Sequence, residues 1–332
     1  MRRNVLITAA SRRVPLVDAF QRVLRESGGR VIVTDVNAMS PAVHVADAAF
    51  RVPLATDPGY VEALESLCAA NDVGLLVPTI DDELEVIGAA RARFERAGVC
   101  VAASPTETAA ICNDKLRTAE LLRAKGIPAA ESWLPADVPA GVTFPLFLKP
   151  RNGRGGVGAY MARTRREFEF FAEYVDRPVV QEYLDGPEFT IDMLCDEGRP
   201  LAIVPRERVV IRAGVMDRGR TVRSRSLLDL GLGCAAALDF HGPVNIQCRM
   251  VGGVPTVFEI NPRFSGGIPL TIKAGANFPR MLVDLARGRR VEPRIGHFTA
   301  GLWMTSYEAA IFLHGDEASV FPRSAALIRV VA

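Results

Sequence analysis

The sequence predicts an α/β domain followed by an α+β region, with a parallel sheet in the first third of the chain and antiparallel sheets in the rest. Between residues 5 and 103, short continuous apolar runs alternate with amphipathic helices, a pattern typical of parallel strands buried on both faces. After residue 188, apolar and polar residues alternate, as in strands with one face on a core. A chain of 332 residues also exceeds one compact core. We therefore expect two or three domains.

The first domain is expected to cover residues 1–108. Strands are predicted at 5–10, 31–35, 75–78 and 99–103, and helices at 15–27, 60–70 and 84–97. Asp35 ends the second strand, where a dinucleotide-binding domain places an acidic ligand for ribose. However, the first turn, Thr8 to Arg13, lacks the Gly-x-Gly-x-x-Gly motif. The sequence therefore disfavours a nicotinamide-dependent oxidoreductase.

Two lysines and a glycine-rich segment stand out in the middle of the chain. Lys115 begins a predicted helix, where its charge opposes the positive end of the helix dipole. An anionic ligand would remove this conflict, although a solvated lysine would also tolerate it. Lys149 follows an apolar strand, and a charge there needs a partner if it is buried. The four glycines between Arg151 and Gly158 would let backbone N–H groups approach phosphate oxygens, or they form a flexible hairpin tip.

A predicted hairpin in the last third of the chain could hold a metal ion. Its second strand alternates, so that Glu259 and Asn261 share a polar face with Val257. Phe258 and Ile260 point to the opposite face. Carboxylate and amide oxygens suit Mg²⁺, a hard cation. An ordinary amphipathic hairpin with a polar outer face is the alternative.

The turn of this hairpin decides whether Gln247, in the first strand, joins the two ligands. A two-residue loop would pair Gln247 with Phe258, whereas a three-residue loop, Gly252 to Val254, places it opposite Glu259. We predict the three-residue loop. Just past the hairpin, Arg263 enters a glycine-rich turn, where its guanidinium could neutralise a phosphoryl group.

A row of arginines precedes this hairpin. Arg206, Arg208 and Arg212 share one face of a predicted strand with Val210. Such a row of guanidinium groups suits an anionic substrate, such as a carboxylate or the acyl phosphate made from it. A surface strand protected against edge pairing would look similar. We take the three arginines as candidate substrate ligands.

Five motifs follow one another in an order that is known from one enzyme family. They lie at residues 113–115, 147–150, 153–158 and 181–188, and in the set Gln247, Glu259, Asn261 and Arg263. Over residues 105–285, the chain resembles the ATP-grasp enzymes, in particular the branch similar to the carbamoyl phosphate synthetase large subunit and biotin carboxylase. One such motif is weak evidence, whereas five in order are a strong indication.

The resemblance implies an ATP-grasp fold, in which the parallel domain precedes a two-lobed region. Residues 109–187 would form the small lobe with a glycine-rich lid, and residues 188–332 the large lobe with the metal and substrate sites. The lobes would hold ATP and Mg²⁺ or Mn²⁺ between them. The implied phosphate ligands are Lys115, Lys149, Gly155 and Gly156. The implied adenine and ribose ligands are Gln181, Glu182, Tyr183, Leu184 and Glu188. The implied metal ligands are Gln247, Glu259 and Asn261, with Lys149 and Arg263 as catalytic cations.

The resemblance also implies an ATP-dependent carboxylate–amine ligase, with an amino acid as the expected substrate. ATP would phosphorylate a carboxylate, and an amine would displace phosphate to leave an amide. The end of the first sheet would line the substrate site through Asp35, Thr79 and Asp81, although helix caps and loop carboxylates look the same in sequence. Two alternatives stay open: a carboxyphosphate- or carbamoyl-forming subunit, and a non-catalytic nucleotide-binding module.

Composition bounds the partners and the compartment. A net charge of +2 and 23% charged residues give no general attraction to nucleic acid or anionic membranes. No apolar run approaches the ~18 residues of a membrane span, and no signal peptide is evident. Six separate cysteines without metal-ligand spacing indicate buried thiols in a reducing compartment. We expect a cytoplasmic protein with small-molecule carboxylate and amine substrates, and a homodimer is compatible with this expectation.

Overall fold

The computed structural model describes residues 3–153, 155–212, 214–315 and 321. Its first sheet is parallel and has five strands: β1 (Asn4–Ile7), β2 (Val31–Asp35), β3 (Ala48–Arg51), β4 (Val73–Val77) and β5 (Cys100–Val101). The strand order is β3-β2-β1-β4-β5. The accompanying helices are α1 (Val14–Arg25), α2 (Pro41–Val45), α3 (Tyr60–Ala70) and α4 (Asp81–Arg96). The residues of β1, β2 and β4 are all buried, which confirms the predicted parallel sheet with two covered faces.

Two helices, α5 (Thr106–Asn113) and α6 (Lys115–Ala124), lead into a small antiparallel sheet. Its strands are β6 (Ser132–Trp133), β7 (Leu146–Pro150), β8 (Tyr160–Ala162) and β9 (Pro178–Glu182), in the order β6-β9-β7-β8. A 3-10 helix, Pro135–Asp137, follows β6, and α7 (Arg165–Tyr174) covers the sheet. Ile111 and Leu122 pack in the core of the following, larger sheet. The helices α5 and α6 therefore pack on the larger sheet, whereas the sequence analysis grouped them with residues 109–187 as a small lobe.

The larger sheet is antiparallel and has six strands. They are β10 (Glu188–Asp196), β11 (Arg199–Arg212), β12 (Val215–Thr221), β13 (Gly242–Val251), β14 (Val254–Asn261) and β15 (Trp303–Thr305). The strand order is β14-β13-β10-β11-β12-β15. The last helices are α8 (Arg225–Ala237), α9 (Ile268–Lys273) and α10 (Phe278–Ala286).

A shared core joins the first domain to the large lobe. Val17 and Phe20 of α1 lie in the same buried cluster as Leu201 of β11, Phe264 and Phe278. Each fully buried side chain of this size contributes about 1.5–3 kcal/mol relative to an exposed one. The apolar contact holds the carboxyl ends of β1 and β4 against the segment that follows β14.

Five cysteines are buried and Cys100 is partly buried, and all six are free thiols, as predicted. In the described part of the chain, no helix has the length and apolar content required to cross a membrane.

Candidate functional site

The hairpin of β13 and β14 brings the predicted metal ligands together. Gln247 pairs with Glu259, as predicted, and Asn245 pairs with Asn261. The predicted turn is wrong, however, because Val251 pairs with Val254 and leaves a two-residue turn of glycines with φ of 56° and 85°. A bulge between residues 257 and 259 restores the register. The pairing of Gln247 therefore depends on the bulge and not on a longer loop.

Phe258 is the extra residue of the bulge. The bulge turns Val257 toward the core beside Ile260, which corrects the predicted alternation of these residues. The ring of Phe258 lies beneath Lys149 of β7, with the ammonium 5.5 Å from the ring centre. Its carbonyl oxygen lies 3.4 Å from Lys149 Nζ. Phe258, the residue before the predicted metal ligand Glu259, thus makes a cation–π contact with Lys149.

Two lysines face this region from the small lobe and from α6. Burial lowers the pKa of Lys149 to about 8; Glu259 and Glu188 oppose this effect, and Lys115 reinforces it. Lys115 is 8% exposed, and its ammonium donates to the carbonyl of Gly153 at 2.8 Å. Two cations close enough to influence each other's titration favour an anionic ligand between them.

The glycine-rich segment is fastened at its base to the start of α6. Arg151 forms an ion pair with Asp114 at 2.7 Å, and Lys115 reaches the Gly153 carbonyl. Gly155 and Gly156 both adopt the left-handed conformation, with φ of 69° and 70°. A Cβ on Gly214, at the tip of the β11–β12 hairpin, would lie 2.9 Å from the Gly155 carbonyl oxygen. The segment therefore contacts Lys115 at its start and approaches the tip of the β11–β12 hairpin at Gly155.

The predicted adenine segment connects the two lobes. Gln181 is buried and donates to Ser132 Oγ, and Glu182 accepts from the backbone of Glu131. Tyr183 stacks on Phe147, with ring centres 6.3 Å apart. Leu184 is buried, and its backbone N–H donates to no other described residue. A backbone donor without a protein partner can serve a ligand, and an adenine nitrogen would accept from it.

Glu188 is held by two arginines. Arg208 Nη1 lies 2.6 Å from one of its oxygens, and Arg249 Nη2 lies 2.9 Å from the other. Arg208 also donates to Gln247 Oε1 at 3.1 Å and to the carbonyl of Gly214 at 2.6 Å. Arg208 therefore connects a predicted ribose ligand to a predicted metal ligand. These contacts favour a role beside the predicted nucleotide ligands over the predicted role of Arg208 as a substrate ligand.

The other two arginines of the predicted row do not form an anion site with it. Arg206 is 1% exposed and pairs with Asp192, with Nε 2.7 Å from Oδ2. It also donates to Ser265 and to the sulfur of Met216, so four of its five guanidinium N–H groups have partners inside the core. The assignment of Arg206 as a substrate ligand is therefore wrong.

Arg212 lies at the exposed end of β11. A break in the pairing of β11 with β12 after Arg208 interrupts the alternation, and the strand becomes exposed from Val209 onward. Arg212 pairs with Glu308 at 2.8 Å on the surface. The three arginines therefore point into three different environments.

Arg263 faces the first domain. Its Nη2 lies 2.7 Å from Asp81 Oδ2 and 2.9 Å from Asn261 Oδ1. Its Nε donates to both oxygens of Asp81, and its Nη1 donates to the carbonyl of Phe264 at 3.3 Å. Of the five guanidinium N–H groups, one on Nη1 is left for a ligand when the described residues are considered.

The remaining residues at the end of the first sheet have structural partners. Asp35 accepts backbone N–H groups of Ser11 and Asn37 at 2.8 and 3.0 Å. Thr79 is fully buried and donates to the carbonyls of Thr8 and Ala9. These contacts support loop-stabilising roles for both residues.

The donor set of the hairpin fits a hard divalent cation. Glu259 is partly exposed, and no hydrogen bond or ion pair joins its carboxylate to another described residue. Gln247 and Asn261 each accept one arginine N–H through the amide oxygen, and such an oxygen keeps a second lone pair for a metal. Glu259 would supply the charge, and the two amides would complete the set.

Comparison with known proteins supports this arrangement. Residues 175–310 match the family model described as "ATP-grasp in the biosynthetic pathway with Ter operon". The chain carries an ATP-grasp domain. Residues 5–102, ahead of it, match the model "PylC-like, N-terminal domain".

Relatives of the ATP-grasp domain include large carbamoyl phosphate synthases. The carbamoyl phosphate synthase large chain of Thermoanaerobacter sp. is 26% identical over 229 residues, which cover 62% of this chain and 21% of the relative. The chain thus spans about a fifth of that protein's length.

Solved structures share the fold over most of the chain. The biotin carboxylase domain of Hydrogenobacter thermophilus 2-oxoglutarate carboxylase, solved as a dimer with MgADP and bicarbonate, has a TM-score of 0.71 at 17% identity and covers 91% of this chain and 73% of its own. The L-amino acid ligase of Bacillus licheniformis has a TM-score of 0.68 at 20% identity and covers 90% and 77%. These likenesses show the ATP-grasp fold.

Sequence reasoning missed the contacts of three residues in or near the candidate site. Phe258 was predicted to point away from the metal ligands, Arg249 was given no role, and Asp192 was overlooked as the buried partner of Arg206. Asp192 carried a signal, because a carboxylate inside the apolar run of residues 189–195 must find a buried partner. The bulge that exposes Phe258 left no signal in the residue types.

Proposed function

We propose that the protein is an ATP-dependent carboxylate–amine ligase that forms an amide and releases ADP and phosphate. The observation that supports this best is the convergence of Lys149 and Lys115 with Glu259, whose carboxylate has no hydrogen-bond or ion-pair partner among the described residues. Two cations and a metal-ligand set on one side of a cleft suit a triphosphate with its metal ion. The relatives and structural neighbours named above support the same reaction class.

The reaction balances without a protein nucleophile. A carboxylate oxygen attacks the γ-phosphorus, the bond to the β-phosphate oxygen breaks, and ADP leaves. The amine then attacks the acyl carbon, phosphate leaves with the bonding electrons, and the amine loses a proton. Lys115 and Lys149 neutralise the phosphates, and the remaining Nη1 proton of Arg263 can donate to the transferred group.

Glu259, Asn261 and Gln247 would hold Mg²⁺. When bound, this ion would offset the charge that develops on the phosphate oxygens. Glu188 would accept the ribose hydroxyls, and the Leu184 N–H would donate to adenine.

A screen for phosphate release tests the proposed function. The purified protein is incubated with ATP, Mg²⁺ and pairs of amino acids, with bicarbonate included as an alternative donor because of the carbamoyl phosphate synthase relatives. We expect one pair to release ADP and phosphate in equal amounts, with an amide product of the matching mass. Release with bicarbonate and an amine alone would favour the carboxyphosphate-forming alternative. No release above background with any pair would contradict a ligase for these substrates.

Nucleotide binding is the control for this screen. ATP with Mg²⁺ should stabilise the folded protein by mass action and so raise its unfolding temperature. At an ATP concentration of 100 Kd, the free energy of unfolding should rise by about 2.7 kcal/mol, whereas NADH should have no effect. Equal shifts with both nucleotides, or none with ATP, would remove the basis of the proposal.

Arg208→Ala should weaken ATP binding more than substrate binding. Arg208 orients Glu188 and Gln247, and hydrogen bonds to charged groups contribute about 1.5–3 kcal/mol each. We therefore expect the KM for ATP to rise by about tenfold or more. Steady-state kinetics with each substrate varied in turn will measure the change. Arg212→Ala, on the same strand but paired with Glu308 on the surface, is the matched control and should change neither constant. A rise confined to the carboxylate substrate would restore the donor-site assignment.

A further inference from the structure

Asp81 belongs to the first domain, yet its carboxylate contacts the ATP-grasp site. It is the first residue of α4, and both of its oxygens accept from Arg263, which follows β14. The side chains of Asp81 and Arg263 are only 8% and 13% exposed. Water therefore competes little for this pair, and its geometry is set by protein contacts.

The pair continues into the metal-ligand set. Arg263 donates to Asn261 Oδ1 at 2.9 Å, which fixes the oxygen side of that amide. Asn245 donates to the carbonyls of Asn261 and Arg263 at 3.2 and 3.1 Å and holds the backbone of this segment. A chain of contacts thus runs from Asp81 through Arg263 to a predicted metal ligand.

Helix capping does not account for Asp81. The N–H groups of Thr79 and Ile80, just ahead of α4, donate to Glu83 Oε1 at 2.7 and 3.1 Å. Arg13 forms a second link at the same junction, because it donates to the carbonyls of Thr79 and Phe264 at 2.6 and 3.1 Å. The Asp81 carboxylate is therefore directed across the junction, while other groups fasten the segment that carries it.

The charges of Asp81 and Arg263 also affect how strongly the site attracts a metal ion. A guanidinium beside Asn261 Oδ1 repels a cation that approaches the same oxygen. A carboxylate 2.7 Å from Arg263 offsets part of this repulsion, because the two opposite charges act on the cation together. Asp81 thus both orients the amide and removes a charge that would oppose the metal.

We propose that Asp81 is a positioning residue for the metal site, through which the first domain controls the affinity of the ATP-grasp site for its divalent cation. This inference rests on the proposed function. Asp81 is not one of the proposed metal or phosphate ligands, and it acts on them through Arg263 and Asn261.

Metal binding can be measured without turnover. Mn²⁺ is titrated into the full chain in the presence of a non-hydrolysable ATP analogue, and the signal of free Mn²⁺ is followed by electron paramagnetic resonance. Asp81→Asn should raise the Kd for Mn²⁺ by about tenfold to a hundredfold, as the loss of an outer-shell partner commonly does. The kcat should fall by a similar factor, with the KM for ATP changed by less than about twofold. Asp82→Asn, the exposed neighbour on the same turn, should leave both unchanged.

A double-mutant cycle separates positioning from a general structural effect. If Asp81 acts through Arg263, Asp81→Asn should have no further effect on the Kd for Mn²⁺ in an Arg263→Gln background. The double variant removes both charges of the pair together, so it can be measured even if Asp81→Asn alone unfolds. An unchanged Kd in Asp81→Asn, or an equal loss in both backgrounds, would overturn the inference. Failure of the unmodified protein to bind Mn²⁺ with the ATP analogue would instead contradict the proposed function.

Discussion

Glu259→Gln should lower kcat by about 10²- to 10³-fold while leaving the fold intact. The substitution removes the one formal negative charge of the predicted metal-ligand set at nearly constant volume. A metal ion that offsets charge in phosphoryl transfer contributes several kcal/mol, and each 1.36 kcal/mol corresponds to a tenfold change in rate. No described residue forms a hydrogen bond or an ion pair with the carboxylate, so the substitution breaks no such contact. Phosphate release, measured as a function of Mg²⁺ concentration, will report the change.

The control for this variant is Glu173→Gln, the same chemical change at an exposed position on α7. It should keep the activity of the unmodified protein, and both variants should unfold at similar temperatures. If Glu259→Gln turned over at the normal rate in saturating Mg²⁺, Glu259 would not be a metal ligand.

The fold could be predicted to a large extent because its two sheet types differ in pattern. The strand Val31–Asp35 and the helix Tyr60–Ala70 have the predicted bounds, since glycines lie just before both segments. The short strands β3, β6 and β8 were missed, because segments of two to four residues are too short to show periodicity. The packing of α5 and α6 on the large sheet was also missed, since an apolar helix face does not reveal which sheet it meets.

The arginine row shows what alternation cannot determine. The strand β11 runs from the core at Leu201 to the surface at Arg212, so equivalent positions along one face meet different surroundings. Arg206 is buried against Asp192 of the neighbouring strand, and its loss would leave an uncompensated charge worth about 3–5 kcal/mol. The two-residue alternation predicted which residues share a face of the strand. How deeply each of them is buried, however, depends on the packing of the whole sheet.

The sequence could predict only those contacts of the candidate site that join residues close together in the chain. Gln247 and Glu259 lie on one hairpin, so the sequence could pair them, even though the bulge and not the loop sets their register. Asp81 and Arg263 are 182 residues apart, and both were singled out for separate roles. Their contact depends on the docking of two domains, which no local pattern encodes.

Lys149 should make ATP binding depend on pH in a defined direction. Its pKa is lowered to about 8, chiefly by burial, so in the nucleotide-free protein its amine is charged below pH 8 and loses its proton above it. Phosphate oxygens favour the charged amine, so the pKa of Lys149 rises when ATP binds, and above pH 8 binding requires the uptake of a proton. The affinity for ATP should therefore be constant below pH 8 and fall as the pH rises, by up to about tenfold per pH unit.

Lys149→Met tests this assignment, because it keeps a long side chain over the Phe258 ring and removes the titrating amine. At pH 7 the variant should bind ATP about tenfold to a hundredfold more weakly, since it loses a charge-assisted contact of about 1.5–3 kcal/mol. Its affinity should then stay flat between pH 7 and 9, at the level that the unmodified protein approaches in alkaline solution. Calorimetric titration in two buffers of different ionisation enthalpy will measure both the affinity and the proton uptake. A variant whose affinity fell in parallel with that of the unmodified protein would assign the titration to another group, and Lys149 would then be a structural residue of β7.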